Sequence, residues 1–267
     1  TVDRIAVIPI KGAISTENGN GDFFNSGTVG SGNIVEFIEI ANKDKSVKGI
    51  ILNINSPGGT VVGSKEIVDA VKKVDKPVVA LIREVGASGA YWVASAADVI
   101  IADPLSITGS VGVLGSYLEF SDLFSKYGVT YQEITTGEYK DLGNPYSKLT
   151  NEERRILLSK LEIIHDYFSK DVSANRGIDL SEQANGLFYL GIEAMDLGMI
   201  DKFGGKNEAI AEVKQLAGIE DYQLVFYEKK ESIFDLLGGL SSSFGFSVGQ
   251  GMGDAFVKQD EFEISLT

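Results

Sequence analysis

Apolar positions along the chain switch between two periods. Ile5-Ala6-Val7-Ile8-Pro9-Ile10 is a continuous apolar run and predicts a strand over residues 4–10. Asn33–Asn42, with Ile34, Val35, Phe37 and Ile38, has helical spacing, and Val47–Asn53 predicts a buried strand. Val62–Val74 carries Ile67, Val68, Val71 and Val74 on one helical face, and Pro77–Ile82 is strand-like. Gly89–Ala97 then predicts a helix, Asp98–Ala102 a short strand, Phe120–Tyr127 a helix and Thr130–Thr135 a strand. Thr150-Asn151-Glu152-Glu153 is a capping box that starts a long amphipathic helix ending near Gly177. Gly191–Leu197 and Asn207–Leu216 predict two further helices, and Tyr222–Tyr227 an edge strand. Strand and helix alternate, which predicts an α/β domain with a largely parallel sheet.

In such sheets ligands sit beyond the carboxyl ends of the strands. Two loops fall there. Asn55-Ser56-Pro57-Gly58-Gly59 follows the strand ending near Ile54, and Gly86-Ala87-Ser88-Gly89 follows the strand ending near Glu84. Ser88 stands among small residues between a strand and a helix, a corner that exposes a hydroxyl and crowds backbone N–H groups around it. If the two strands are parallel neighbours, the loops meet, and the N–H groups of Gly59 and Gly89 converge as an oxyanion hole. Taken alone, Pro57-Gly58-Gly59 reads as an ordinary strand-to-helix turn. Neither loop carries G-x-G-x-x-G or G-x-x-x-x-G-K-[ST], which weakens a nucleotide-binding reading.

Composition narrows the chemistry. The 267 residues include no cysteine, which excludes cysteine proteases, thiolate zinc sites and disulfides. The single histidine, His165, lies within the long helical pattern and is expected to be satisfied or solvated there. Without a second histidine there is no H-E-x-x-H zinc site. A nucleophilic Ser88 therefore needs a lysine or a carboxylate as its base. The formal net charge of −14 disfavours nucleic acid or an anionic membrane surface as partner. No run approaches the roughly 18–20 apolar residues of a membrane span. The chain opens directly on its first strand, without a signal-peptide pattern, a start compatible with an anchor upstream of residue 1. Two more polar loops, Ser106–Val113 and Thr135–Asp141, separate apolar runs. The second places Lys140 just beyond a predicted strand, where a lysine is ordinarily a solvated surface charge.

Four motifs now occur in order: Asn55-Ser56-Pro57-Gly58-Gly59, Ala87-Ser88-Gly89-Ala90-Tyr91, Thr108-Gly109-Ser110-Val111-Gly112 and Gly137-Glu138-Tyr139-Lys140-Asp141. Over about residues 4–217 the chain resembles the serine–lysine peptidases of the signal peptide peptidase A type, within the Clp protease/crotonase superfamily. The separation of Ser88 and Lys140, 52 positions, is similar to that of the family's short forms. Ala90 and Trp92 stand where the family commonly has glycine and tyrosine.

The resemblance implies an α/β fold of repeated β-β-α units wound as a superhelix with mostly parallel sheets. It implies Ser88 as nucleophile, Lys140 as general base, Ser110 as the residue orienting the lysine, and Gly59 and Gly89 as oxyanion donors. It implies a serine endopeptidase that hydrolyses leftover signal peptides and other short apolar peptides at the membrane, with no metal or cofactor. A free lysine, with a pKa of about 10.4, must fall by roughly 3 units to act as a base near neutrality. Desolvation supplies such a drop, so Glu138 and Asp141 are expected to point away from the amine. The resemblance further implies a homo-oligomer, an octamer for a short chain, in which neighbouring subunits contribute to the groove. It implies a cytoplasmic-membrane location, the peptidase domain being extracytoplasmic and held by an N-terminal anchor absent from this chain. Residues 1–217 are then the peptidase domain. Residues 218–267, rich in glycine and serine toward the end, are an extension read as a flexible tail, an oligomerisation arm or a segment the peptidase trims. Two other readings share parts of this pattern. A crotonase-like acyl-CoA enzyme would use the same oxyanion hole, and a non-catalytic membrane-protein partner would leave the Ser–Lys pair idle.

Overall fold

The computed structural model describes residues 2–17 and 27–228. In chain order the first half runs β1 (Arg4–Lys11), β2 (Ala13–Ser15), β3 (Thr28–Gly30), α1 (Ser31–Lys43), β4 (Val47–Ser56), α2 (Val61–Val71), β5 (Val78–Ala87), α3 (Gly89–Ser95), β6 (Val99–Ala102) and β7 (Ile107–Gly109). The second half runs α4 (Ser121–Lys126), α5 (Asn151–Arg176), β8 (Phe188–Leu190), α6 (Gly191–Asp196), β9 (Lys202–Phe203), α7 (Lys206–Ala217) and β10 (Gln223–Phe226). The main sheet has the order β10-β1-β4-β5-β6-β9, every neighbouring pair parallel. The fold is α/β with a mostly parallel sheet, as the alternating pattern predicts.

The middle stretches of the central strands, Gly49–Leu52 and Val78–Ile82, are continuously apolar because both faces of the sheet are covered there. Ile50, Leu52 and Ile54 of β4 and Val78, Ala80 and Ile82 of β5 pack in one cluster with α1, α2 and α3 residues such as Ile38, Ile67 and Val93. Ile51, Val79 and Leu81 face the other way and pack under Ala209, Ile210 and Val213 of α7. Helix starts follow their local chemistry. The Thr150 side chain accepts from the Glu153 N–H at the head of α5, completing the expected capping box, and Gly177 ends that helix in the left-handed conformation at φ 67°.

β5 is what positions the site. It runs five residues beyond Ile82, past the end of β6, and its last stretch finds a new neighbour. Val85–Ala87 pairs in parallel with β7, which in turn pairs antiparallel with β8. The extension was not legible because Arg83 and Glu84 break the apolar run. Both are exposed there.

The segment between β7 and α5 departs from expectation. Thr130–Thr135 is not a strand: it pairs with no strand among the described residues, and every residue in it is exposed. No residue from Gly112 to Leu149 is buried. α4 forms within the predicted 120–127 helix but buries nothing. Aromatic contacts hold this arm together locally: Tyr146 lies 5.4 Å from both Phe124 and Tyr131 between ring centroids. At the other end, β10 pairs with β1 as the predicted edge strand, so the sheet includes residues beyond the expected domain boundary at 217. Residues 229–267, and with them the expected tail or arm, lie outside the described residues.

Candidate active site

β4 and β5 are parallel neighbours, paired in register to Ile54 and Ile82 and, after a register shift, again at Ser56 and Gly86, so the two predicted loops do meet. Ser88 forms the corner between β5 and α3, with φ 54° and ψ −126°. For a residue with a Cβ this is an uncommon backbone state that the surroundings must impose. They do so from both sides. The Ser88 N–H donates to the Gly109 carbonyl at 2.7 Å, and the Ser88 carbonyl accepts from the Trp92 N–H at 3.0 Å.

Gly58 lies against this corner at φ 98°. A Cβ built there would come within 2.7 Å of the Gly89 nitrogen and 2.9 Å of the Ser88 Cβ, so only glycine lets the loops touch. Ile14, in the short strand β2, fixes the next residue. Its N–H donates to the Gly58 carbonyl and its carbonyl accepts from the Thr60 N–H, both at 2.8 Å. That leaves the intervening Gly59 N–H without a partner among the described residues, and the Gly89 N–H at the head of α3 is equally free. Two uncommitted backbone donors thus flank the Ser88 turn, the arrangement that stabilises a tetrahedral oxyanion.

Ser110 stands on the same groove. It too has positive φ, 52°, its N–H donates to the Leu187 carbonyl at 2.8 Å, and its hydroxyl donates to the Gly186 carbonyl at 3.3 Å. The groove has a volume of about 730 Å³. Its walls are largely apolar, from Trp92, Val113, Leu158, Leu161, Ile164 and Phe168. Trp92 stacks on Phe168 at 4.8 Å between centroids, and its indole N–H donates to Asp171 at 2.7 Å. Burial alone would raise the Asp171 pKa. The Lys72 ammonium at 2.7 Å and the Trp92 N–H outweigh it and hold the carboxyl below its usual range.

His165 also lines the groove, but its Nε2 lies 2.7 Å from the Ala184 carbonyl oxygen, a bond that commits the ring to the wall as expected. Lys140 is placed differently. It is exposed, in the turn that follows Gly137, and it is not among the residues lining the groove. Asp141 is engaged away from it. Asp141 accepts from the Asn144 amide at 2.7 Å and from the Tyr131 hydroxyl at 3.3 Å, and Lys140 makes no ion pair among the described residues. The single chain therefore brings together Ser88, Gly59, Gly89 and Ser110, and leaves Lys140 on the arm. The roles of Ile14 and of Ser64, a buried serine in the first turn of α2, carry no signal in the sequence pattern.

No described helix is long and apolar enough to cross a membrane. Comparison with known proteins places the site in context. The profile of Peptidase family S49 matches residues 70–220, and that of Clp protease matches residues 28–102. A putative protease of Methanocaldococcus jannaschii is 33% identical over 227 residues, covering 82% of this chain and 72% of that protein. A putative signal peptide peptidase SppA of Enterococcus faecium is 29% identical, covering 94% of this chain and 73% of that protein. Protease 4 of Haemophilus influenzae is 33% identical, but the chain spans only 35% of its length. Among solved structures, a membrane-bound stomatin-specific protease (an S97A mutant) shares the fold with a TM-score of 0.53 at 13% identity, covering 86% of this chain and all of the other.

Proposed function

The chain belongs to peptidase family S49 and is a serine protease, and we propose that it cleaves apolar peptides through a Ser88–Lys140 dyad completed between two copies of the chain. The observation that carries the reading is the Ser88 corner itself: a strained serine between two free glycine N–H donors at one end of an apolar groove. The second half of the dyad follows from the arm. Leu114, Leu118, Tyr127 and Ile134 are 86%, 73%, 72% and 96% exposed on it, an apolar surface that a second copy would cover. Packing the arm beside a neighbour's groove would take the Lys140 amine out of water, the condition under which a lysine becomes a base.

In this scheme neutral Lys140 takes the Ser88 hydroxyl proton as Oγ bonds to the peptide carbonyl carbon. The carbonyl electron pair moves onto oxygen, held by the Gly59 and Gly89 N–H groups. Collapse breaks the C–N bond, and the Lys140 ammonium protonates the leaving amine. Water then attacks the acyl-enzyme, giving one proton to Lys140, which returns it to Ser88 as the acid leaves. Ser110 orients the amine between these steps. The apolar walls suit signal-peptide remnants and other short apolar segments at the membrane, and the assembly expected is a homo-oligomer, an octamer.

The test measures cleavage of an apolar peptide by wild type, Ser88→Ala and Lys140→Ala, singly and mixed. Each variant alone should be inactive. The mixture should regain part of the wild-type rate, because some interfaces then pair an intact Ser88 with an intact Lys140. Undiminished turnover in either single variant refutes the dyad, and no recovery on mixing refutes its completion between copies.

A further inference from the structure

Ser64 is the one groove-lining hydroxyl among the described residues that is fully buried and has no hydrogen-bond partner. Its position is unusual for a helical serine. The N–H bonds normally to the Thr60 carbonyl at 3.0 Å, yet the side chain does not bond back to the preceding turn as serines in helices commonly do. It is turned instead onto Gly89. A Cβ built on Gly89 would lie 2.1 Å from the Ser64 Oγ, 2.9 Å from its Cβ and 3.5 Å from the Gly59 nitrogen. The Ser64 side chain therefore fills the space beside Gly89, in the gap between the two segments that supply the free N–H groups.

We infer that Ser64 is a positioning residue of the oxyanion hole, an inference that rests on the peptidase reading above. Its side chain spaces α2 from the head of α3, and so sets where the Gly59 and Gly89 donors point. Its hydroxyl is uncommitted in the resting fold and rotates about a single torsion. When negative charge develops between the two glycine N–H groups, the O–H dipole turns toward it from behind Gly89, without displacing any existing bond. A buried hydroxyl without a partner destabilises the resting fold, and alanine would occupy nearly the same volume without that cost. Unmet polar groups of this kind are expected where function, rather than stability, sets the residue.

The test compares wild type with Ser64→Ala for peptide cleavage, for inhibition by a peptide aldehyde that adds to Ser88, and for thermal unfolding. Removing a direct oxyanion donor costs about a hundredfold or more in kcat; a supporting dipole should cost about tenfold. The aldehyde should weaken by a similar factor while KM changes by less than about twofold, because the hydroxyl acts on the charged intermediate rather than on bound substrate. The melting temperature should stay the same or rise. A kcat within about twofold of wild type overturns the inference, as does a fall in melting temperature or a failure to fold, either of which makes Ser64 structural. Absence of Ser88-dependent cleavage in the wild type overturns the peptidase reading itself and this inference with it. Normal wild-type cleavage with undiminished Ser64→Ala activity overturns this inference alone.

Discussion

The Ser88 amide donates to the Gly109 carbonyl at 2.7 Å, so the turn that carries the proposed nucleophile is tied to the residue just before Ser110. Ser88 and Ser110 are also the two non-glycine residues with positive φ among the described residues, at 54° and 52°. Uncommon backbone states thus fall at the two serines assigned to the chemistry, one held by the Gly109 carbonyl and the other by the Leu187 carbonyl.

That strain has a measurable consequence. Ser88→Gly removes the Cβ from an unfavourable backbone state at a cost in unfolded-chain entropy, and the net effect should be stabilising by about 1 kcal/mol. Ser88→Ala keeps the Cβ and should leave stability nearly unchanged. Both should abolish cleavage. Denaturant melts of the three proteins check this, and equal stability of the glycine and alanine variants would show that the corner is unstrained.

Gly59→Ala should damage both fold and activity. The added Cβ would meet the backbone of Ile14, 1.9 Å from its carbonyl oxygen and 2.5 Å from its nitrogen, and no side-chain rotation relieves a clash with backbone. The β2 contact must break or the Gly59 loop must shift, at a cost of about 1–3 kcal/mol. Either response would misplace a proposed oxyanion donor. A variant as stable and as active as wild type would mean that the loop tolerates the displacement.

Much of this site was legible before the structure. The apolar runs of β1, β4 and β5 are long and bounded by loops, so the parallel core and the meeting of the Pro57–Gly59 and Gly86–Gly89 loops followed from local pattern. His165, which its helical setting predicts to be satisfied or solvated, is bonded through Nε2 to the Ala184 carbonyl. What pattern cannot carry is pairing between short segments. β2, β7 and β8 are three residues each, below any readable period, yet β2 holds Gly59 and β7 holds Ser88. The reverse holds at Thr130–Thr135, where β-favouring residues predict a strand that finds no partner strand among the described residues.

The groove wall should be acid-sensitive through Asp171. Desolvation raises its pKa, but the bonds from Lys72 and Trp92 prevail and the carboxyl titrates below its ordinary value. A group with a depressed folded pKa adds stability above its unfolded value of about 4, and that stability is lost as pH falls through the folded value. Asp171→Asn should therefore cost about 1 kcal/mol near neutrality and progressively less below about pH 4. Urea melts of both proteins across that range read the difference directly. A gap that stays constant with pH would remove Asp171 as its source. Cleavage should weaken in the variant at neutral pH, because the Trp92 indole that Asp171 anchors stacks on Phe168 in the groove.

The arm supplies the last expectation. Ile134 is 96% exposed and sits six residues before Lys140, on a segment where nothing is buried. Within one chain Ile134→Asp replaces a solvated side chain by another, so it should change the stability of a single subunit by no more than about 0.5 kcal/mol. If the arm packs against a neighbouring copy, the same change puts a carboxylate into an apolar contact, which charge desolvation opposes strongly. The variant should then dissociate at concentrations where the wild type is assembled, and its cleavage should fall with the assembly while its unfolding midpoint as a separated subunit is kept. Light scattering alongside peptide cleavage measures both. A fully assembled variant would free Ile134 from the interface, and a dissociated but fully active one would show that each chain completes its own dyad.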